Sequence, residues 1–192
     1  MTPPELDERI KGHKGYGLIQ LIHGPGKGKS TAALGQVVRC AGAGRRAIII
    51  YFDKGGQDHY SERGSLDKFD NIEYLATGRD RIDPDSGRFD FSVTELDRQE
   101  AEKGLALARE VLTSGVYDLV VLDEINSTVQ LKMLAVEDVI SALENKDPET
   151  EVILTGRNPK EELIKIAHLI SKVEMERHYF YSGVPAREGL DY

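Results

Sequence analysis

An apolar run and a helical pattern meet at the stretch GPGKGKST, residues 24–31, and no other part of the chain restricts the fold as much. Phosphate is anionic. Successive backbone N–H groups that run into the first turn of a helix make a concave, positive seat for it. Glycines let the backbone wrap close to the phosphate oxygens. Gly24, Pro25, Gly26, Lys27, Gly28, Lys29, Ser30 and Thr31 are therefore expected to hold a nucleoside triphosphate, ATP with magnesium. Lys29 adds a full charge, and the Ser30 hydroxyl can ligate Mg²⁺. The spacing departs from the common G-x-x-x-x-G-K-[ST] loop, because three residues rather than four separate Gly24 from Gly28, and His23 takes the place of the first glycine. His23 reads as the last residue of the strand.

Periodicity around this loop alternates between strand and helix. Residues 18–23 read as a buried strand. Leu34, Val37, Val38 and Ala41 then fall on one face of a helix that starts near Lys29. Residues 47–52 are a second strand rich in β-branched side chains, 53–71 show no clear period, and 72–76 read as a third strand. Residues 78–91 read as a charged loop. Ser92 and Glu95 predict a capping box, with a helix to about Ser114 carrying Leu105, Ala108 and Leu112 on one face. Further strands are predicted over 116–122, 151–155 and 173–175. Val136, Val139, Ile140 and Leu143 mark one more helix, and Asn158 with Pro159 starts another whose stripe is Leu163, Ile166, Ala167 and Ile170. Such alternation predicts an α/β fold with a mainly parallel sheet covered on both faces. The expected organisation is a polar, mobile arm over residues 1–16 and one nucleotide-binding domain over residues 17–192.

Charge and cysteine content narrow the partners. The chain carries 33 acidic against 25 basic residues, a net charge of −8, which repels nucleic acid and anionic membrane. No apolar run reaches the length of a membrane span, and the first residues lack the apolar core of a signal peptide. Cys40, on the apolar side of its helix, is the single cysteine. It reads as a small buried hydrophobe in a protein of the reducing cytoplasm.

Three more motifs fall at the carboxyl ends of predicted strands, where open parallel sheets bind ligands. The run VVLDE, residues 120–124, ends in Asp123 and Glu124. An apolar strand closed by carboxylates places acid beside the Mg²⁺ of a phosphate loop. Arg157, in TGRNP, follows another strand, and a guanidinium suits phosphate geometry. Alternatively it caps or solvates the turn. Lys54, in FDKGG, stands at the end of the second strand near the expected site, or is an exposed loop lysine. His59, His168 and His178 show no metal-ligand spacing.

Taken in order, these motifs resemble the ATP:corrinoid adenosyltransferases of the type with a phosphate loop. That family has a G-N-G-K-G-K-T-T loop with the same shortened spacing as residues 24–31. It also has an aromatic-x-Lys-Gly like residues 52–55, V-V-L-D-E like 120–124, V-I-L-T-G-R like 152–157, and an ending like GVPAREGLDY at 183–192. The resemblance covers roughly residues 17–192, and the ending is its most specific part. It implies a RecA-like, three-layer P-loop domain, a homodimer, and ATP, Mg²⁺ and a corrinoid as ligands. The implied reaction moves the 5′-deoxyadenosyl group of ATP to the reduced cobalt of a corrinoid and releases triphosphate. Lys29 and the loop N–H groups would then hold the triphosphate, while Ser30 and Glu124 hold Mg²⁺ with Asp123 close by.

In one place the chain departs from the family pattern. Where the family carries T-G-F-T-W, this sequence reads Thr77, Gly78, Arg79, Asp80, Arg81, and it contains no tryptophan. The family's aromatics help to expel the lower ligand of the corrinoid. Phe89 and Phe91 can supply an apolar wedge from a shifted position, or Arg79 and Arg81 can bind corrinoid carboxylates or amides, or a different anionic partner. Two alternatives to the transferase follow. One is a RecA-like NTPase or kinase that cleaves between the β and γ phosphates. The other is an ATP-gated corrinoid carrier or regulator that forms no carbon–cobalt bond.

Overall fold

The computed structural model describes residues 6–56, 60–79 and 92–191. Six strands are present: β1 (Ile19–His23), β2 (Ala47–Tyr51), β3 (Ile72–Ala76), β4 (Leu119–Asp123), β5 (Glu151–Gly156) and β6 (Leu169–Lys172). They form one sheet in the order β3-β2-β4-β5-β1-β6, and every neighbouring pair is parallel. Every residue of β2, β4 and β5 is buried. These strands are continuous apolar runs rather than alternating ones because a parallel sheet is covered on both faces.

On one face lie α3 (Glu95–Thr113), α4 (Ile125–Gln130), α5 (Val136–Glu144) and α6 (Glu161–Ile166), whose Leu105, Val129, Val139 and Leu163 pack against Leu21, Ile50, Leu122 and Leu154. On the other, α1 (Lys29–Gly42) and Leu66 of the short α2 (Arg63–Leu66) cover Ile22, Ile49, Val121 and Ile153. The result is the expected α/β fold of three layers, a RecA-like arrangement. β1 and β5 are neighbours whose chains leave to opposite faces, into α1 and α6. Between such strands a crevice opens at their carboxyl ends, and the motif residues gather there.

Local differences from the sequence reading have physical causes. α1 packs through Ala33, Val37, Cys40 and Ala41, while Val38 is 44% exposed. Small residues let the helix sit close to the sheet, which turns its buried stripe away from Val38. The cap of α3 is Thr94, not Ser92. Its hydroxyl accepts from the Asp97 N–H, and the Asp97 carboxylate accepts from the Thr94 N–H at 2.6 Å. α6 starts after Lys160 rather than after Asn158, which sits at φ 45°, a left-handed turn that Asn tolerates and that an extended cap residue does not adopt. Ile170 is not on a helix. The chain turns extended at Ala167, and Ile170 pairs with Leu21 on the edge strand β6, where it is 45% exposed. The final strand is thus 169–172 rather than 173–175. α2 and α4 were not visible as periodic patterns, since four and six residues complete too few turns to show one.

The segment before β1 contains a 3₁₀ turn at Glu8–Ile10, and Arg9 donates from its two terminal nitrogens to the Lys165 and Ala167 carbonyls at 2.7 and 2.9 Å. Among the described residues no helix is long and apolar enough to cross a membrane.

Two helix glycines respond oppositely to a side chain. A Cβ on Gly104 of α3 would lie 2.6 Å from Thr77 Oγ1 and 2.9 Å from the Phe52 ring, whereas one on Gly35 of α1 meets nothing within 4 Å. Gly35→Ala is expected to stabilise by about 0.5–1 kcal/mol through helix propensity, and Gly104→Val to cost about 1–3 kcal/mol through overpacking. Urea midpoints of the two variants check the opposite signs.

Candidate active site

The phosphate loop runs from the end of β1 at His23 into α1. Gly28 precedes the helix at φ 108° without a side-chain cap, leaving the first amides of α1 open. Gly24, at φ 112°, lies so close to the chain leaving β6 that a Cβ would meet the Val173 carbonyl oxygen at 2.4 Å. The Gly26 N–H donates to that same carbonyl at 2.8 Å. The loop is thus seated on β6 as well as on β1. Lys29, only 7% exposed, donates to the Gly26 carbonyl at 2.9 Å. Burial pushes its ammonium down from the ordinary lysine range. Glu124 works against that shift, and the like charges of Arg157 and Lys54 add to it.

Beside the loop, four side chains from different elements meet. The Lys54 ammonium donates to Ser30 Oγ at 3.0 Å and to Asp123 Oδ2 at 2.5 Å, and Thr155 donates to Asp123 Oδ1 at 2.6 Å. Burial alone would raise the Asp123 carboxyl, but the Lys54 charge and hydrogen bond, with Thr155 and Ser30, hold it below the usual carboxylate range. Lys54 is likewise opposed by burial, and Asp123 and Glu124 hold its ammonium above the ordinary lysine range. Lys54 is therefore paired with Asp123 and Ser30 beside the loop and is not an exposed loop lysine.

Glu124 follows at φ 63°, a left-handed backbone that few residues other than glycine adopt and that recurs at functional sites. Its N–H donates to Thr155 Oγ1 at 2.9 Å, and its Oε2 accepts from Ser127 Oγ at 2.5 Å. Ser127 Oγ also accepts from the Arg157 N–H at 3.0 Å. Arg157 is exposed and lines the same cavity as Lys29.

These oxygens fit Mg²⁺. Ser30 and Asp123 already converge on a cation, the Lys54 ammonium, and hydroxyl and carboxylate are the hard oxygen donors that Mg²⁺ takes. Among the described residues no cluster of three or more His, Cys, Asp or Glu forms a cage for a metal.

Several positioning residues were not singled out in the sequence. Arg63 is 5% exposed and lies over the rings of Tyr60 and Tyr51 at 4.4 and 4.9 Å. It donates to the Gly56 carbonyl and, at 2.7 Å, to the Lys54 carbonyl, so it pins the turn that aims Lys54. Thr155 and Ser127 join Asp123, Glu124 and Arg157. Thr155 stood in the TGRNP motif without a role of its own, and Ser127 left a trace three residues after Glu124 at helical spacing. Lys27 turns from the loop toward residues 178–191, where it pairs with Asp191 at 2.5 Å. That segment walls a cavity of about 220 Å³ whose lining includes Gly26, Lys29, Arg157, Tyr179 and Phe180. A larger cavity of about 640 Å³, lined by Gln20, Arg39, Leu119 and Glu151, opens by the amino ends of β4 and β5 and holds none of the motif residues.

Arg79 donates from Nε to Asp97 at 2.9 Å and from a terminal nitrogen to Ser92, tying the chain after β3 to the start of α3. Asp80, Arg81, Phe89 and Phe91 lie outside the described residues.

With this geometry, residues 15–192 match the family model of the ATP:corrinoid adenosyltransferases BtuR/CobO/CobP. The chain belongs to that family. It is 30% identical to the corrinoid adenosyltransferase of Escherichia coli strain K12, over 92% of this chain and 86% of that one. It is 31% identical to the corrinoid adenosyltransferase CobA of Salmonella typhimurium, over 97% and 92%. The uncharacterized protein all2391 of Nostoc sp. is 34% identical over 91% of this chain, which spans 48% of that relative's length.

In this adenosyltransferase the buried pair makes a test of stability. Asp123 has a folded value below its ordinary 3.8, so its contribution is complete above about pH 4 and is lost as pH falls through the lower folded value. Lys54→Met strands the carboxylate in a buried site. It is expected to cost about 3–5 kcal/mol at pH 7, a cost that shrinks as pH falls, because burial without Lys54 raises the carboxyl and the folded state then takes up the proton. Adding Asp123→Asn should recover part of that loss. Urea and acid titrations followed by circular dichroism check both. A Lys54→Met protein of unchanged stability at pH 7, or one whose deficit does not shrink in acid, would contradict the assignment.

Proposed function

We propose that this protein transfers the 5′-deoxyadenosyl group of ATP to the reduced cobalt of a corrinoid. The observation that supports it best is the convergence of Lys29, Lys54 and Arg157 with Asp123, Glu124 and Ser30 at the carboxyl ends of β1, β2, β4 and β5 in a member of this family. The substrate cobalt supplies an electron pair to C5′, the C5′–O bond breaks, and that bond's electrons leave with inorganic triphosphate. Neither a general base nor a protein nucleophile is required. The task left to the chain is to position ATP and to stabilise negative charge that grows on the leaving group.

The residues divide that task. The open amides after Gly28 and the Lys29 ammonium face the triphosphate. Arg157 reaches it from the β5 side. Ser30, Asp123 and Glu124 would hold Mg²⁺, which neutralises phosphate charge when bound. Lys54 keeps Asp123 ionised, and Thr155 and Ser127 fix the two carboxylates. Pro25, Gly26 and Thr31 complete the loop around the phosphates. Family resemblance supports a homodimer, and the single cysteine supports the cytoplasm.

The test is anaerobic mixing of the protein with MgATP and chemically reduced cob(I)alamin. A light-sensitive spectrum of a carbon–cobalt bond should appear together with triphosphate. Lys29→Ala should lower kcat/KM by about 10²–10³, the scale for losing one preorganised charge-stabilising donor. ADP with no alkylated corrinoid would point to the NTPase or kinase instead. Binding of both ligands without turnover would point to a carrier.

A further inference from the structure

Lys27 lies inside the phosphate loop, yet its three N–H groups are all taken by the segment 178–191. Its ammonium donates to the Asp191 carboxylate at 2.5 Å, to the Tyr179 hydroxyl at 3.3 Å and to the Leu190 carbonyl. Asp191 is itself fully engaged. Its Oδ1 also accepts from the Tyr179 hydroxyl, and its Oδ2 accepts from the backbone N–H and the Nε of Arg187 at 3.0 and 3.1 Å. The Arg187 guanidinium lies 4.5 Å from the centre of the Tyr179 ring. Hydrogen bonds to Lys27 and Tyr179 hold the Asp191 carboxyl well below the usual carboxylate range.

The same Asp191 lines the cavity that Lys29 and Arg157 line, where the proposed function seats triphosphate. A carboxylate there carries the same sign as the ligand. A lysine with every donor spent offers a phosphate no hydrogen bond until one of its partners lets go. Water reaches the pair from the lysine side, where the Lys27 side chain is 42% exposed, while that of Asp191 is 10% exposed. An ion pair open to water on one side can exchange partners, and a triphosphate brings several charges against one carboxylate.

We propose that Asp191 is an internal anion that exchanges with triphosphate at Lys27, so that triphosphate binding releases the segment 178–191 from the phosphate loop. After adenosyl transfer the exchange runs in reverse, and Asp191 retakes Lys27 as triphosphate departs. Asp191 is a positioning residue, acting through Lys27 and touching no reacting atom. Because coupling between two equilibria is reciprocal, the factor by which bound triphosphate weakens the Asp191 contact equals the factor by which that contact weakens triphosphate binding, so loss of the contact tightens triphosphate. The inference rests on the proposed function for the identity of the anion.

The experiment uses the full chain and inorganic tripolyphosphate as the probe. Hydrogen exchange of residues 178–191 is measured with and without saturating probe, and affinity is measured by calorimetry for the native protein, Asp191→Asn, Tyr179→Phe and Lys29→Ala. The expected results are severalfold faster exchange across 178–191 when the probe is bound, severalfold tighter binding by Asp191→Asn, and a smaller gain for Tyr179→Phe. Lys29-dependent binding that leaves exchange unchanged or slower overturns the exchange of anions and leaves the proposed function standing. So does equal or weaker binding by Asp191→Asn. No Lys29-dependent binding of tripolyphosphate overturns both.

Discussion

A carboxylate buried at the carboxyl end of β4 sets the conditions for the whole site. Asp123 is 1% exposed, and an ionised group so deep is costly unless it is paired and hydrogen-bonded. Its partners come from the turn after β2, from β5 and from the first turn of α1: Lys54, Thr155 and Ser30. Satisfying one charge thus fixes the relative positions of three strands and the phosphate loop's helix. The tyrosine-lined Arg63 extends the constraint outward by holding the carbonyls of Lys54 and Gly56. The ion pair is weak evidence of net stability, since such pairs often do no more than offset their own desolvation. Its consequence here is register.

That arrangement also suits the chemistry. A reaction whose nucleophile is the substrate's own metal needs little from the protein beyond geometry and charge. The site brings together the cations Lys29, Lys54 and Arg157, the oxygens of Ser30, Asp123 and Glu124, and a Glu124 backbone held in a left-handed conformation at φ 63°. The strain at Glu124 is local and is held by the Thr155 and Ser127 hydroxyls. The carbonyl of Val173 holds the loop from the β6 side, so the loop is also hydrogen-bonded on the side of β1 away from the crevice.

The strands and long helices were legible in the sequence because burial on both faces forces continuous apolar runs, and because α3 and α5 repeat their stripes over enough turns. The glycine-rich loop at 24–31 and the adjacent Asp123 and Glu124 were visible as candidates because the chemistry expected of them is written in their spacing along the chain, and the structure sets them at the carboxyl ends of β1 and β4. What was hidden depends on distance in space. Lys54 read as ambiguous until Asp123 stood 2.5 Å away. Arg63 gave no signal, since the three tyrosines near it come from β2, β3 and the turn before α2. Arg79 looked like a ligand for an anionic partner, but Asp97, eighteen residues on, claims it. Ile170 misled because an apolar residue at helical spacing reads the same whether the helix continues or the chain turns into an edge strand.

The central claim is that the bond broken in ATP joins carbon to oxygen, with the phosphate chain leaving intact. It is tested most directly with ATP carrying ¹⁸O in the bridge between C5′ and the α phosphorus, turned over anaerobically with cob(I)alamin. Attack at C5′ predicts that the released tripolyphosphate retains the label, read by mass spectrometry. Labelled ADP without tripolyphosphate would contradict the account, because cleavage would then lie between phosphates and the cluster around Asp123 would serve a hydrolase or kinase.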